Sequence, residues 1–334
     1  MSKTNWSFAQ VWNKSLEQTD KRKYEPREHI WASELGKSYV DRWYKMKGTE
    51  PTNPANPRTL RKFEAGNVFE WIVEMVLARS GLLIDKQEWV EFQYPGLPRV
   101  TGKLDHMAGG APDWEEVERG FADGNLPDFM KNVARSTIEY FKKEYPEGLK
   151  PIVLEVKSVG SMLFGRYKDG IANPTHELQL FHYLKAKNMP EGHIVYISKD
   201  DLMLVEIGVF NSSKMEDRYR EDIKTMGKLL ASDTPPKPED EIIWDEDSKK
   251  FRLNWMVSYS PYLTLVYGYK NQAEFEDKYK GKTARWNRVV GRILKGDVMT
   301  DNNLGAISEI KELFPDFEER IKRTDSNEIE GVSK

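Results

Sequence analysis

Ile152-Val153-Leu154-Glu155-Val156-Lys157 is the stretch on which the reading of this chain turns. Its run of aliphatic and β-branched residues reads as a buried strand. Alternate strand residues face the same way, so Glu155 and Lys157 project together while Leu154 and Val156 point into the core. A carboxylate and an ammonium side by side at the end of an apolar strand are costly to bury unless paired or used. By itself the pair fits any half-buried strand, so the flanking elements must decide.

On the N-terminal side, Pro95-Gly96-Leu97-Pro98 is a turn between two strands. The first, 88–94, alternates with Val90, Phe92 and Tyr94 on one face. The return strand, 99–107, puts Thr101, Lys103 and Asp105 on one side. Asp is disfavoured on strands, and Gly102 lets another backbone or a ligand approach closely. The ordinary alternative is a strand-end Asp leading into Gly109-Gly110.

Before this hairpin, a Pro/Asn-rich loop over 51–57 precedes a helix over 60–80. Its apolar positions Phe63, Val68, Trp71, Ile72, Met75, Val76 and Leu77 fit a 3.6-residue period, and Gly81 stops it. Glu70 and Glu74 are i, i+4 neighbours on this helix. A solvated acidic face explains them, and a metal ligand at Glu70 is the sharper reading.

On the C-terminal side, a loop carrying Gly160, Gly165 and Gly170 leads to a helix over 175–187, with Thr175 as its N-cap. Gln179 and Tyr183 share a face, with His176 one turn earlier. A surface amide and a half-buried tyrosine would be the plain explanation. Strands over 193–198 and 203–209 and a helix over 214–230 follow. Residues 108–150 read as an insertion with a helix over 125–145. After the break at Pro235-Pro236-Lys237-Pro238, residues 240–300 are aromatic and basic. A helix over 307–323 and a disordered tail end the chain. This order of elements predicts an α/β core with a mixed sheet.

Composition excludes several classes. The 334 residues contain no Cys, which rules out disulfides, Cys-held zinc or iron–sulfur clusters, and a cysteine nucleophile. No stretch approaches the ~20 apolar residues that span a bilayer. The polar N-terminus shows no secretory h-region, so a cytoplasmic location is expected. The net charge of −3 conceals a +6 balance over residues 1–62. Between Lys278 and Lys295 lie seven basic residues and no acidic one. Arg285, Arg288 and Arg292 would share one helix face there, and Trp286 adds a ring. That composition suits phosphate contacts plus base stacking, though charge runs are often simply solvated.

Taken in order, a helix with G-x-x-x-E (Gly66 to Glu70), a strand ending G-x-x-D (Gly102 to Asp105), a strand with E-x-K (Glu155 to Lys157) and a helix with Q-x-x-x-Y (Gln179 to Tyr183) resemble the motif series of the PD-(D/E)XK nucleases. The stretch from His176 to Val209 and the segment Trp31-Ala32-Ser33-Glu34-Leu35-Gly36 are similar to the RecB-like branch, which includes the CRISPR-associated adaptation exonucleases. The resemblance covers about residues 30–105 and 150–262.

The resemblance implies a restriction-endonuclease-like core, a central mixed sheet flanked by helices. To it would be added a helical insertion and helical N- and C-terminal extensions. The division would be an extension over 1–58, a nuclease core over 59–232 containing the 108–150 insertion, an aromatic and basic extension over 233–322, and a tail over 323–334. Asp105, Glu155, Lys157, Gln179 and Tyr183 would be catalytic. Glu70, Asp105, Glu155 and the Val156 carbonyl would hold Mg²⁺, with Mn²⁺ able to substitute. The activity would be deoxyribonuclease, an exonuclease hydrolysing phosphodiester bonds with Mg-activated water. It would act on DNA ends or single strands, with a helicase or recombination protein as partner, in repair, recombination or phage DNA processing in a host cytoplasm. The alternative is a catalytically silent nuclease-fold protein that binds DNA or a recombination partner.

Three departures stand out. Glu70 occupies a position where many members have a His ligand. Residues 106–151 are longer than the family's usual connection. The cysteines that many relatives use to hold an iron–sulfur cluster are absent, with Ser38, Val257 and Ser260 standing near the expected positions. Packing by the aromatics Trp255, Tyr259, Tyr262, Tyr267 and Tyr269 is expected to replace the cluster in tying the C-terminal segment to the N-terminal helices.

Overall fold

Apolar alternation around Glu155 produces the middle strand of a five-stranded sheet in the computed structural model, which describes residues 7–19, 23–124, 127–246 and 248–321. The chain divides into two units. The first comprises residues 1–37, 42–49 and 55–235, and the second 38–41, 50–54 and 236–334. In order, the elements reaching residue 230 are α1 (Phe8–Thr19), β1 (His29–Trp31), a 3-10 turn (Ala32–Glu34), α2 (Tyr39–Met46), α3 (Pro57–Arg79), β2 (Leu83–Lys86), β3 (Trp89–Phe92), β4 (Arg99–Lys103), β5 (His106–Gly110), α4 (Trp114–Asp123), α5 (Asp128–Glu144), β6 (Leu149–Val159), α6 (Ser161–Tyr167), α7 (Pro174–Lys187), β7 (Glu191–Ser198), β8 (Leu204–Phe210) and α8 (Ser213–Leu230). The remainder are β9 (Ile242–Asp245), β10 (Lys250–Leu253), α9 (Trp255–Ser258), α10 (Leu263–Tyr267), α11 (Gln272–Leu294) and α12 (Asp301–Leu313). The fold is α/β, with a central mixed sheet flanked by helices.

The main sheet has the order β2-β5-β6-β7-β8, with β6 and β7 parallel and every other pair antiparallel. A second sheet, β1-β4-β3, pairs β1 parallel and β3 antiparallel to β4. The return strand expected over 99–107 is therefore two strands in two sheets. The chain changes sheet at Leu104-Asp105, and its hairpin partner changes sheet between β2 and β3 at Gln87, which has φ of 51°. The Gln87 N–H donates to the Asp105 carbonyl at 3.0 Å and the Leu104 N–H to the Glu88 carbonyl at 3.0 Å, tying the two corners together.

Helix α7 is buried nearly all round, from Leu178 through Leu184. It packs against β3 of the small sheet and against β6, β7 and β8 of the large one, so no polar face is left to show helical periodicity. Asn173 caps it by accepting from the Thr175 N–H at 2.9 Å, with Pro174 in the first turn. The cap is thus Asn173 and not Thr175. The glycine-bearing loop expected after β6 holds the short helix α6.

Helix α3 begins at an Asn56 cap followed by Pro57 and ends before Gly81, whose φ is +69°. Its expected apolar face is largely not the buried one. Phe63, Val68, Trp71, Ile72 and Val76 are exposed, while Phe69, Val73 and Leu77 pack on Leu154, Val156, Val195 and Ile197. Two apolar stripes share one period on this helix, and periodicity cannot choose between them. The expected helix over 125–145 begins at Asp128, with α4 before it. The expected helix over 307–323 is in two pieces, α12 (Asp301–Leu313) and, after a break at 314–316, helical residues 317–321. The expected disordered tail lies outside the described residues. Among the described residues no helix is long and apolar enough to cross a membrane.

Within the second unit, Ile242, Trp244, Phe251, Trp286, Val289, Val290, Ile310 and Phe317 form one apolar cluster. Val257, Leu263, Tyr269 and Phe275 form another. Trp255 and Tyr259 are 41% and 68% exposed, whereas Tyr262 and Tyr269 are buried, so only part of the expected aromatic set packs in the interior of this unit. Hydrogen bonds also connect its segments. Glu239 accepts from Ser38 Oγ at 2.8 Å, the Tyr39 N–H at 2.7 Å and Tyr267 Oη at 2.9 Å, while Ser260 Oγ donates to Asp41 at 2.6 Å.

In the first unit, Arg42 and Asp222 form a buried two-pronged ion pair at 2.8 and 2.9 Å. Asp222→Ala removes the carboxylate that faces a buried guanidinium and should cost about 3–5 kcal/mol in urea unfolding. Tyr259→Ala, on an exposed ring, should change stability by no more than about 0.5 kcal/mol in the same measurement.

Candidate active site

Asp105 reaches its place because the chain turns there from one sheet to the other. It is buried, and its Oδ2 accepts from the Val156 N–H at 2.8 Å. That bond fixes Asp105 to the backbone of β6 immediately beside Glu155. Glu155 itself is 0% exposed on the central strand. Its Oε1 accepts from the Lys157 ammonium, and its Oε2 is buried with no hydrogen-bond partner.

The electrostatics follow from this crowding. Burial, then the Asp105 charge, pushes Glu155 up to about 8, with Lys157 pulling the other way. Glu70 on α3 is pushed up to about 7, by burial and then by Asp105. Burial also raises Asp105 above its usual range, against the pull of Lys157 and the Val156 N–H. Burial works to lower Lys157, but the Glu155 and Asp105 carboxylates outweigh it and hold the ammonium above its ordinary value. The structure therefore brings Glu70, Asp105, Glu155 and Lys157 into one electrostatic group.

Among the described residues no three His, Cys, Asp or Glu side chains stand together as a ready-made metal cage. Two carboxylates are enough for a hard cation that keeps several of its own waters. Asp105 and Glu155 supply them, and the orphaned Glu155 Oε2 is a buried acceptor of the right chemistry. The residues present thus fit a divalent cation. Glu70 receives a weak contact from Gln87 Nε2 at 3.5 Å.

Gln179 and Tyr183 meet as expected on one face of α7, with Gln179 Nε2 donating to Tyr183 Oη at 3.1 Å. Tyr183 Oη in turn donates to the Lys103 carbonyl at 2.9 Å. Gly102 matters here. A Cβ on it would stand 2.7 Å from the Ala32 Cβ and 2.8 Å from the Tyr183 ring. What approaches Gly102 closely is Tyr183, not a ligand. Tyr183 thereby holds the end of β4 that leads to Asp105.

Two cations near the site were not singled out from the sequence as part of it. Lys103 acts electrostatically on both Glu70 and Asp105. Lys37 is lowered to about 8, first by burial and then by repulsion from Lys45 and Lys157. Lys37 follows directly on the Trp31–Gly36 segment, which was the available signal. His176 is bonded to Tyr196 at 3.0 Å and is lowered to about 3 by burial, so it is neutral at ordinary pH.

The basic patch on α11 needs a correction. Trp286 is 0% exposed inside the second unit's core, and its Nε1 donates to Glu309 at 3.2 Å, so it offers no ring face to a base. Arg285 is paired with Glu309. Arg288 and Arg292 are exposed beside Asn302 and Asn303.

No protein-family model matches the chain, and no curated protein matches it. Among solved structures, the protein SSO0001 aligns with a TM-score of 0.39 at 16% identity, over 66% of this chain and 87% of its own. An alkaline exonuclease from Laribacter hongkongensis aligns with a TM-score of 0.36 at 11% identity, over 61% of this chain and 88% of its own. The same exonuclease in complex with dAMP gives 0.36 and 11%, over 66% and 92%.

The raised carboxyls give a pH signature. The folded values of Glu70 and Glu155, about 7 and about 8, lie above their ordinary 4.5, so the folded state binds more protons than the unfolded chain between these limits. Their stabilising contribution is complete below pH ~4.5 and is lost as pH rises through about 7 and about 8. Melting temperature in EDTA should fall across that window, and Glu155→Gln should flatten the fall. Added Mg²⁺ or Mn²⁺ should raise the melting temperature more at pH 8.5 than at pH 6, because ligation competes with protons.

Proposed function

We propose that this protein is a divalent-metal-dependent DNA nuclease of the PD-(D/E)XK type, acting as an exonuclease with residues 59–232 as its nuclease core. One observation carries the reading. Asp105 is clamped to the backbone of the strand that bears Glu155 and Lys157, and Glu155 keeps one oxygen buried and unpartnered. A protein with no use for these charges gains nothing by burying them, since each costs several kcal/mol to desolvate.

In this reading Asp105 and Glu155 hold a Mg²⁺ or Mn²⁺ ion, with the Val156 carbonyl as a further oxygen donor and Glu70 contributing negative charge alongside. The bound cation supplies the positive charge that acidifies water and offsets the growing charge on the phosphate. Lys157 keeps its ammonium charged through Glu155 and Asp105, and from there it donates to the attacking oxygen or to the phosphate. Gln179 and Tyr183 brace the β4 end through the Lys103 carbonyl and so fix Asp105. Arg288 and Arg292 are candidate phosphate contacts.

Purified protein with Mg²⁺ or Mn²⁺ should degrade end-labelled linear DNA. Asp105→Ala and Lys157→Ala should each lower the rate by at least about a hundredfold, the loss typical of removing one preorganised charge or donor. Wild-type protein inert on linear, nicked and single-stranded DNA would overturn the reading.

A further inference from the structure

The sheet that carries β4 to Asp105 has two unlike faces. Ile30, Val90, Val100 and Gly102 point inward and are buried. Across the strands, His29 lies beside Arg99, Trp31 and Glu91 lie beside Thr101, and Trp89 lies beside Lys103. These seven residues share the outer face. It is an unusual surface for water to cover, because Trp89 is 62% exposed. Its ring leans on Trp31 at 5.3 Å between centroids, and Trp31 is edged by His29 at 4.8 Å and overlaid by the Arg27 guanidinium at 5.7 Å.

We propose that this outer face is a stacking platform for a single-stranded nucleic-acid end, with Trp89, backed by Trp31, receiving a base and Arg99 and Lys103 receiving phosphates, delivering the strand to Asp105. The proposal rests on the nuclease reading and adds the substrate form to it.

Three features commit the face to this occupant. First, aromatic rings flanked by cations match what a single strand offers, an accessible π-face and a phosphate per nucleotide. A duplex hides its base faces and cannot use the tryptophans. Second, the charge is of the right sign at the right end. Arg27 is tied to Glu34 at 2.5 Å and Arg99 to Glu91 at 3.3 Å, while Lys103 makes no salt bridge among the described residues and acts electrostatically on Asp105 and Glu70. Third, the face runs into the site along β4. Lys103, the cross-strand partner of Trp89, is two residues before Asp105, so their backbones are no more than about 7 Å apart, the reach of two residues.

The test is equilibrium binding in EDTA, so that no strand is cut, followed by fluorescence anisotropy of labelled (dT)12 and of a blunt DNA hairpin. Trp89→Ala should weaken (dT)12 binding about tenfold, within the range for one lost base stack, and leave the hairpin unchanged. Trp89→Phe should keep most of the affinity. Glu91→Gln should tighten (dT)12 binding by freeing Arg99. Trp89 is exposed, so its variants should fold, and circular dichroism checks this. Wild-type protein that does not bind (dT)12, or Trp89→Ala that binds both ligands as wild type does or loses both equally, would overturn the platform. Cleavage by Asp105→Ala is followed in parallel. Asp105-dependent cleavage with a silent Trp89→Ala sinks the platform alone. A Trp89-dependent (dT)12 affinity in a wild-type protein that cuts nothing sinks the nuclease reading alone.

Discussion

The hydrogen bond from the Val156 N–H to the Asp105 carboxylate is the constraint on which the site depends. It joins the point where the chain leaves one sheet for another to the central strand of the second sheet. Were Asp105 simply a residue within a long strand, its backbone would be paired on both sides and its side chain would follow the pleat. The break at Leu104-Asp105 frees it to turn toward β6 instead. Gln87, with its left-handed backbone, makes the matching corner on the partner strand. Two sheets and α7 between them then position Asp105, Lys157, Gln179 and Tyr183 around Glu155, and α3 adds Glu70.

That arrangement also explains why the carboxyls are strained upward in pKa and not downward. Asp105, Glu155 and Glu70 are like charges in a place water does not reach well. Lys157, with a smaller contribution from Lys103, does not neutralise three carboxylates, so the group holds protons more tightly than free carboxyls do. Tyr183 and Gln179 do not alter this balance directly. Their contribution is geometric, through the Lys103 carbonyl.

Much of this was legible from residue order. Three of the four short motifs lie on the elements expected for them, while the Gly102–Asp105 motif starts on β4 and ends in the crossover; the α/β mixed sheet follows from helix, hairpin, strand, helix and two strands. What escaped was physical information that pattern does not carry. The sheet change at Asp105 reads in sequence as an uninterrupted strand, because alternation continues through it. Helix α3 has apolar residues on more than one side, so its period names a helix but not its buried face. Trp286 sits among basic residues and suggested a stacking ring. Composition cannot say that the cations point outward while the indole between them points inward.

The absence of cysteine takes a different meaning once the second unit is seen. Ser38 and Ser260, near positions where thiols were expected, are buried and joined by oxygen chemistry. Ser38 Oγ donates to Glu239 and accepts from the Asp41 N–H at 3.2 Å, and Asp41 in turn accepts from Ser260 Oγ. Val257 is 0% exposed in an apolar cluster with Phe275 and Tyr269. A cluster of metal and sulfur closes a loop with a few strong bonds. This unit closes the same segments with several charge-assisted hydrogen bonds of ~1.5–3 kcal/mol each, plus burial of rings. Such a closure contains no thiol to oxidise, and it converges on one carboxylate, Glu239, which accepts from Ser38, the Tyr39 N–H and Tyr267.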